Sequence, residues 1–177
     1  LYWRSFGDHH IAPYNPAPMD PFGITWPKTG AWQGGTRDLE VKAAGRAALR
    51  LRDTSATATV SAHYGEAIPI PPAGLRLRFQ YRTEAPGHTF VATLNHHDAG
   101  KQWMSGRNND IAITGDGSWQ SFERTVTTFP AGAESVQLTL WATRWSEKGE
   151  ATGTVWIDDL SVTDAGSGKP LVSGGDF

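Results

Sequence analysis

Two tryptophans four residues apart are the residues best suited to hold a ligand. In "SVQLTLWATRW" (135–145), apolar residues alternate with polar or aromatic ones, as in a β-strand with one buried face. Trp141 and Trp145 share the non-core face, where their Cα atoms would lie roughly 13 Å apart. Aromatic rings stack on the C–H faces of pyranose sugars, and this spacing suits a few sugar rings. The pair predicts a glycan-binding surface, unless Trp141 packs under the N-terminal segment and Trp145 anchors a loop.

Planar polar side chains would be needed to bind the hydroxyl groups of such a sugar. In "LRLRFQYR" (75–82), apolar residues alternate with arginine and glutamine, so one face of this predicted strand is polar. The predicted ligand contacts are Arg76, Arg78, Gln80, Asn95, His97 (or its neighbour His96) and Gln137, with Trp103 at the rim. The arginine row equally suits a solvated sheet face, and if it binds ligand, uronates would gain from paired charges. Trp119 and Trp156 are expected to have structural roles.

Two carboxylates interrupt the apolar strand "TVWIDDLSV" (154–162). Ile157 and Leu160 face the same core only if one extra residue is inserted between them, which predicts a β-bulge at Asp158 and Asp159. Neighbouring carboxylates suit Ca²⁺, which takes six to eight oxygen ligands. The alternative is that one or both carboxylates cap a loop or accept backbone N–H bonds.

Catalytic constellations are weak in this sequence. A polysaccharide lyase would need residues such as Arg78, Gln80, His97 and Tyr81 on one face, but alternation directs Tyr81 into the core. A hydrolase needs paired carboxylates, and Glu123 could pair only with the aspartates of the predicted bulge. Adjacent histidines point to opposite faces of a strand, and no H-x-x-x-H motif occurs, so a catalytic metal is not expected. We therefore expect a binding protein and not an enzyme.

Composition favours an all-β protein. Eight predicted strands of period two, separated by turns rich in glycine and proline, predict a β-sandwich (jelly roll) of two antiparallel sheets with about 8–10 strands. The net charge of −2 gives no bias toward nucleic acid, and no apolar run is long enough to span a membrane. Cysteine is absent, which excludes disulfides and thiol catalysis.

The domain organisation is read from shifts in composition. Residues 1–163 are expected to form one sandwich, with 1–38 as a long loop region over it. Trp26 and Trp32 in this region could serve as a lid over the site or as a plug over the core. Residues 164–177 are expected to be a linker or a final strand, and possibly the start of a following module.

Three segments resemble one family of proteins. "GTVWIDDLSV" (153–162), "GSWQSFERTVT" (117–127) and "LRLRFQYRTE" (75–84) are similar, in this order, to the β-sandwich carbohydrate-binding modules of the xylan- and glucan-binding superfamily (families 4, 9 and 22). The resemblance covers roughly residues 39–163. Such modules begin with a strand like "NGDFE". The start "RSFGDHH" departs from this motif and the end "LVSGGDF" (171–177) fits it better, so the chain could run into a next module or its last strand could replace the first.

The resemblance implies a function, a metal and a cellular setting. It implies a non-catalytic, secreted or cell-surface module that binds polysaccharide and targets a covalently attached catalytic domain, typically a glycoside hydrolase. It also implies a structural calcium ion held by Asp158, with Asp159 and either Asp8 or Asp176 as further candidates. A structural or protein-binding sandwich in a multimodular enzyme is the principal alternative, and a small jelly-roll lyase is the next.

Overall fold

The structure, a computed structural model, describes residues 32–144, 152–175 and 177. Within these ranges the chain forms eleven β-strands and no helix. The strands are β1 (Trp32–Gln33), β2 (Thr36–Asp38), β3 (Ala48–Asp53), β4 (Ser61–Tyr64), β5 (Ile68–Pro69), β6 (Leu75–Thr83), β7 (Thr89–His97), β8 (Asn109–Thr114), β9 (Gln120–Val126), β10 (Ser135–Trp141) and β11 (Gly153–Asp164). In the described part of the chain, accordingly, no helix is long and apolar enough to span a membrane.

The strands form two antiparallel sheets. The front sheet has the order β1-β4-β10-β7-β8, with β5 also paired to β10, and the back sheet has the order β2-β3-β11-β6-β9. This confirms the predicted all-β sandwich, and all eight predicted strands are present. The additional strands β1, β2 and β5 are two or three residues long, too short to leave a periodic pattern in the sequence.

The sequence predicted that residues 32–38 belong to a long loop region. This prediction is wrong, because these residues contribute a strand to each sheet. β1 pairs with β4 of the front sheet, and β2 pairs with β3 of the back sheet. The crossing uses Gly34 and Gly35, whose φ angles are 88° and 71°. A Cβ atom at Gly35 would lie 2.7 Å from Leu49 Cδ1, so this crossing admits no side chain without a shift of the core.

The core lies between the two sheets and follows the predicted alternation. Leu77 and Phe79 of β6 and Leu138 and Leu140 of β10 are buried. Trp32 is also buried and packs against Tyr64, with ring centroids 5.9 Å apart. Of the two roles open to Trp32, the structure therefore places it as a plug of the core and not as a lid.

The predicted bulge in β11 is present. Asp158 pairs with Gln80 and Ser161 pairs with Arg78, so two residues of β11 lie opposite one residue of β6. Asp159 adopts the left-handed conformation with φ 49°, which aspartate tolerates better than most residues. The extra residue keeps Ile157 and Leu160 on the core side, as the phase slip predicted.

The C-terminal residues fold back onto the same sandwich. The N–H of Leu171 donates to the carbonyl of Val162, and the N–H of Leu160 donates to the carbonyl of Gly175, both at 2.8 Å. Phe177 is buried against Trp32, with ring centroids 5.7 Å apart. Residues 171–175 thus lie beside β11, and the assignment of the C-terminal segment as a linker, a final strand or the start of a following module stays a prediction.

Candidate functional site

A groove crosses the outer face of the front sheet. It has a volume of about 430 Å³ and is formed mainly by β7, β8 and β10. We call it the front groove, and its lining residues are Val91, Thr93, Asn95, Asn108, Asp110, Ala112, Trp141 and Arg144. These residues face outward because their neighbours along each strand, such as Leu140 and Ile111, fill the core.

Trp141 is held in the groove by a short chain of hydrogen bonds. Its indole N–H donates to Thr93 Oγ1 at 3.2 Å, and the Thr93 hydroxyl donates to Asp110 Oδ1 at 2.7 Å. The register places Trp141 opposite Val91 and Thr93 opposite Asp110, so the three polar groups come from three adjacent strands. Because its N–H is engaged, the half-buried indole is held in one orientation before any ligand arrives.

The rest of the groove offers planar polar groups. The Asn95 amide donates to Thr139 Oγ1 at 2.9 Å, which leaves its carbonyl oxygen as an acceptor. Asn108 Oδ1 accepts a hydrogen bond from the indole N–H of Trp103 at 3.2 Å. Trp103 is 54% exposed, and its backbone forms an isolated antiparallel β-bridge with His97. Amide groups along the groove and the exposed indole of Trp103 beside Asn108 suit recognition of a hydroxyl-rich ligand.

The formal charges that line the groove balance. In the part of the chain that the structure describes, the charged residues of the lining are Asp110 and Arg144, and both are exposed. One carboxylate and one guanidinium provide strong acceptors and donors without attracting ligands of either sign. The groove therefore suits an uncharged polar ligand.

The structure divides the predicted ligand contacts between two opposite faces. Trp141 and Asn95 line the front groove, and Gln137 and His97 lie further along the same outer face. Trp103 stands at its rim through Asn108. Arg76, Arg78 and Gln80 belong to β6, so they lie on the outer face of the back sheet and cannot join the same site. Trp145 lies outside the described residues.

Sequence analysis missed six of the eight lining residues. The residues it did not propose are the apolar Val91 and Ala112 and the polar Thr93, Asn108, Asp110 and Arg144. The alternation of "TFVATLNHH" does place Thr93 on the outer face, because Ala92 and Leu94 are in the core. The pairing of β7 with β8, which brings Asp110 next to Thr93, has no local signal in the sequence.

The structure does not bring the candidate lyase residues together on one face. Arg78 and Gln80 lie on the back sheet, His97 lies on the front sheet, and Tyr81 is in the core as predicted. Burial raises the pKa of the Tyr81 hydroxyl, and the nearby carboxylate of Asp116 raises it further. A buried phenol of raised pKa is not placed to act as a base.

Asp158 serves as a clamp on a loop. Its Oδ2 accepts hydrogen bonds from the N–H groups of Ala43 and Ala44, each at 2.9 Å, and its Oδ1 accepts one from the N–H of Asp159 at 2.8 Å. The side chain is buried, and these three N–H donors satisfy the hydrogen-bonding capacity of its oxygen atoms. This arrangement matches the alternative to calcium that the sequence left open.

The described residues do not by themselves make a calcium site. Among them, no group of three or more His, Asp or Glu side chains is close enough to hold a metal ion. Asp159 is exposed, and Asp8 and Asp176 lie outside the described residues. Calcium binding stays a prediction, and no step of the proposed function depends on it.

Comparisons with known proteins show the fold. No protein-family model matches the sequence, and a search of curated proteins finds no match. A solved structure titled "Family 16 Carbohydrate Binding Module-2" is similar at a TM-score of 0.52 and 16% identity, over 78% of this chain and 89% of that chain. The C-terminal family 22 carbohydrate binding module of Clostridium thermocellum Xyn10B is similar at a TM-score of 0.55 and 18% identity, over 77% of this chain and 86% of that chain.

The same fold also occurs within a larger protein. The enzymatically active domain of bacteriophage CBA120 tailspike protein 4 is similar at a TM-score of 0.53 and 13% identity. The match covers 74% of this chain but 18% of that one. These likenesses confirm the predicted resemblance to the carbohydrate-binding β-sandwich at the level of the fold.

Proposed function

We propose that this chain is a non-catalytic carbohydrate-binding module whose front groove binds a neutral polysaccharide. The observation that carries the proposal is Trp141, which lies in an open groove on a sheet face with its indole fixed by Thr93 and Asp110. The similar family 16 and family 22 structures are named carbohydrate-binding modules, which supports the same reading.

The recognition has two physical components. A sugar ring stacks its C–H face on the indole of Trp141, which needs no charge on either partner. The hydroxyl groups at the ring edge then bond to Asn95, Asn108 and Asp110 and to the guanidinium of Arg144. Because the indole is already oriented, binding costs little side-chain entropy at the central contact.

A targeting role follows from binding without catalysis. Among the described residues, Asp110 supplies the carboxylate of the groove lining, whereas glycoside hydrolysis needs a pair, and the lyase candidates lie on different faces. We therefore propose that the module is secreted or displayed at the cell surface, where it keeps a covalently attached enzyme near its polysaccharide.

Titration calorimetry with a panel of glycans tests the proposal. The panel contains xylan, mixed-linkage glucan, galactan and polygalacturonate, and we expect saturable binding to one neutral glycan and none to polygalacturonate. Trp141→Ala should weaken this binding about 30-fold, because truncating an aromatic anchor costs about 2 kcal/mol. The matched control is Trp156→Ala, which removes a half-buried indole from the back sheet and should leave front-groove affinity unchanged.

Two outcomes would overturn this function. The absence of binding to every glycan of the panel would favour the structural or protein-binding sandwich. Equal losses of affinity in Trp141→Ala and Trp156→Ala would show that the front groove is not the site.

A further inference from the structure

A second polar pocket lies on the outer face of the back sheet. It has a volume of about 270 Å³, and its lining includes consecutive residues of β6 and β9 together with β11 at the bulge. We call it the back pocket and define it by Arg78, Gln80, Ser121, Glu123, Asp159 and Ser161. The register confirms that these side chains meet, because Gln80 pairs with Ser121, and Arg78 pairs with Glu123 and Ser161.

The bulge supplies one wall of this pocket. Asp159 is the extra residue of β11, and its exposed side chain lines the pocket while Asp158 beside it is buried. A strand without the bulge would have no residue at this position, since Asp158 and Ser161 already occupy the outer face. The two aspartates thus have different roles: Asp158 binds the loop at Ala43 and Ala44, and Asp159 presents a carboxylate to the pocket.

The ion pair in the pocket can be replaced by hydrogen bonds to a ligand. Arg78 Nε lies 3.2 Å from Glu123 Oε2, and the two side chains are 64% and 55% exposed. An ion pair this exposed contributes little to stability. Ligand hydroxyls can therefore bond to the guanidinium and the carboxylate without a large loss to the fold.

The chemistry of the lining selects an uncharged ligand. Gln80 and the two serines donate and accept hydrogen bonds, Arg78 donates, and the carboxylates of Glu123 and Asp159 accept. The carboxylates of Glu123 and Asp159 are balanced by Arg78 in the lining and by Arg76, whose Nε lies 3.8 Å from Glu123 Oε1, so the pocket has no net charge to attract a uronate or a sulfate. A sugar hydroxyl both donates and accepts, so a neutral sugar matches all of these groups.

We propose that the back pocket is a second glycan site, specific for a neutral sugar residue, on the face opposite the front groove. It adds to the proposed function and does not require the front groove to bind. Packed sheets are about 10 Å apart, so the two sites face away from each other across the sandwich. One polysaccharide chain cannot pass straight from one to the other, and a module with both sites occupied joins two chains.

Nuclear magnetic resonance on the ¹⁵N-labelled full chain tests this. The probes are cellohexaose, xylohexaose and galactohexaose as neutral glycans and hexagalacturonate as the anionic one. The backbone N–H groups of Ser121 and Ser161 report the back pocket, and the indole N–H of Trp141 reports the front groove. We expect the back signals to shift saturably with a neutral probe and not with hexagalacturonate.

Matched variants distinguish the loss of a ligand contact from a general change in surface charge. Arg78 and Arg76 both lie near Glu123, at 3.2 and 3.8 Å, but only Arg78 lines the pocket. Arg78→Ala should weaken the back-site titration at least tenfold, and Arg76→Ala should change it less than twofold. Asp159→Asn retains a side chain that tolerates the left-handed backbone, so the bulge is kept while the charge is removed.

The possible outcomes decide between the two sites. Back signals that persist in Trp141→Ala support the second site even if the front groove does not bind. Turbidity on mixing the natural protein with the matching polymer is expected when both sites bind, because only then are two chains joined. Back signals that no neutral probe moves, or that Arg76→Ala and Arg78→Ala weaken equally, overturn it. If only the Trp141 indole N–H signal fails to shift with the probes, the result contradicts the proposed front groove and not this inference.

Discussion

Trp141 and Trp156 lie on the outer faces of opposite sheets, and both are half-buried. Both indole N–H groups are engaged, Trp141 with Thr93 Oγ1 at 3.2 Å and Trp156 with Asp38 Oδ2 at 2.8 Å. The guanidinium carbon of Arg82 lies 5.9 Å from the ring centroid of Trp156, and Arg50 lies opposite it on β3. The back-sheet indole is therefore flanked by arginine side chains.

The cross-strand neighbours of Trp141 have shorter side chains than the arginines beside Trp156. Ser61 and Val91 lie opposite it on β4 and β7, and the groove extends beside it. The comparison shows that the cross-strand neighbours decide whether an outward tryptophan is available to a ligand. The same residue type borders an open groove on one face and belongs to a packed arginine-tryptophan row on the other.

The largest expected effect is on stability, and it concerns Asp158, which holds the loop at Ala43 and Ala44. Asp158→Ala removes a buried acceptor and leaves the N–H groups of Ala43, Ala44 and Asp159 without it, so the free energy of unfolding should fall by about 3 kcal/mol or more. Urea denaturation measures this loss. Asp159→Asn is the control and should change stability by about 0.5 kcal/mol or less, because that side chain is exposed.

Thermal unfolding with and without EDTA sharpens the same contrast. A melting temperature unchanged by EDTA would agree with a clamp made of backbone N–H groups alone. A fall on adding EDTA, absent in Asp158→Ala, would show that residues outside the described part complete a calcium site with Asp158.

The second prediction sets Trp156 against Trp141 directly. Trp156→Ala should lower the free energy of unfolding by about 2 kcal/mol, since a half-buried indole and its bond to Asp38 are lost, and glycan affinity should not change. Trp141→Ala should show the opposite pattern, with a larger loss of affinity than of stability. Denaturation and calorimetry on both variants measure the four values, and a shared pattern would remove the distinction between the faces.

The third prediction concerns the residue that orients Trp141. Thr93→Val keeps the shape of the side chain but removes the hydroxyl that links Trp141 to Asp110, so glycan affinity should fall about fivefold, equivalent to about 1 kcal/mol. Thr93→Ser keeps the hydroxyl and should bind within about twofold of the natural protein. Calorimetry checks both, and equal affinity in all three proteins would show that the hydrogen-bond chain does not position the indole.

The smallest expected effect is the pH dependence of the Trp156 anchor. Burial raises the pKa of Asp38, but the N–H of Val41, the indole of Trp156, the N–H of Glu40 and the charge of Arg50 together lower it below 3.8. Its contribution to stability is therefore present above the unfolded-state pKa of about 4 and is lost as the pH falls through the lower folded-state pKa.

Acid titration of stability tests this sign. The difference in unfolding free energy between the natural protein and Asp38→Asn should be constant from about pH 7 to 5 and should shrink below about pH 4. The front groove should be unaffected, because Asp38 lies on the back sheet. A difference that grew on acidification would contradict the assigned direction.

The sequence by itself determined what each strand presents to the core and to solvent. Period-two alternation placed Leu77 and Leu138 inside and Trp141 and Arg78 outside, and the phase slip at Asp158 and Asp159 predicted the bulge. These features are local, because the side-chain direction in a strand depends only on the parity of the position.

Tertiary structure alone decided which outward faces are combined. Arg78 and Trp141 have equivalent local patterns, yet β6 and β10 belong to different sheets, so the single predicted site becomes two opposite faces. Asp110 joins Trp141 only through the pairing of β7 with both β8 and β10. Strand order depends on long-range backbone pairing between residues far apart in the chain, and such pairing leaves no periodic signal in any one segment.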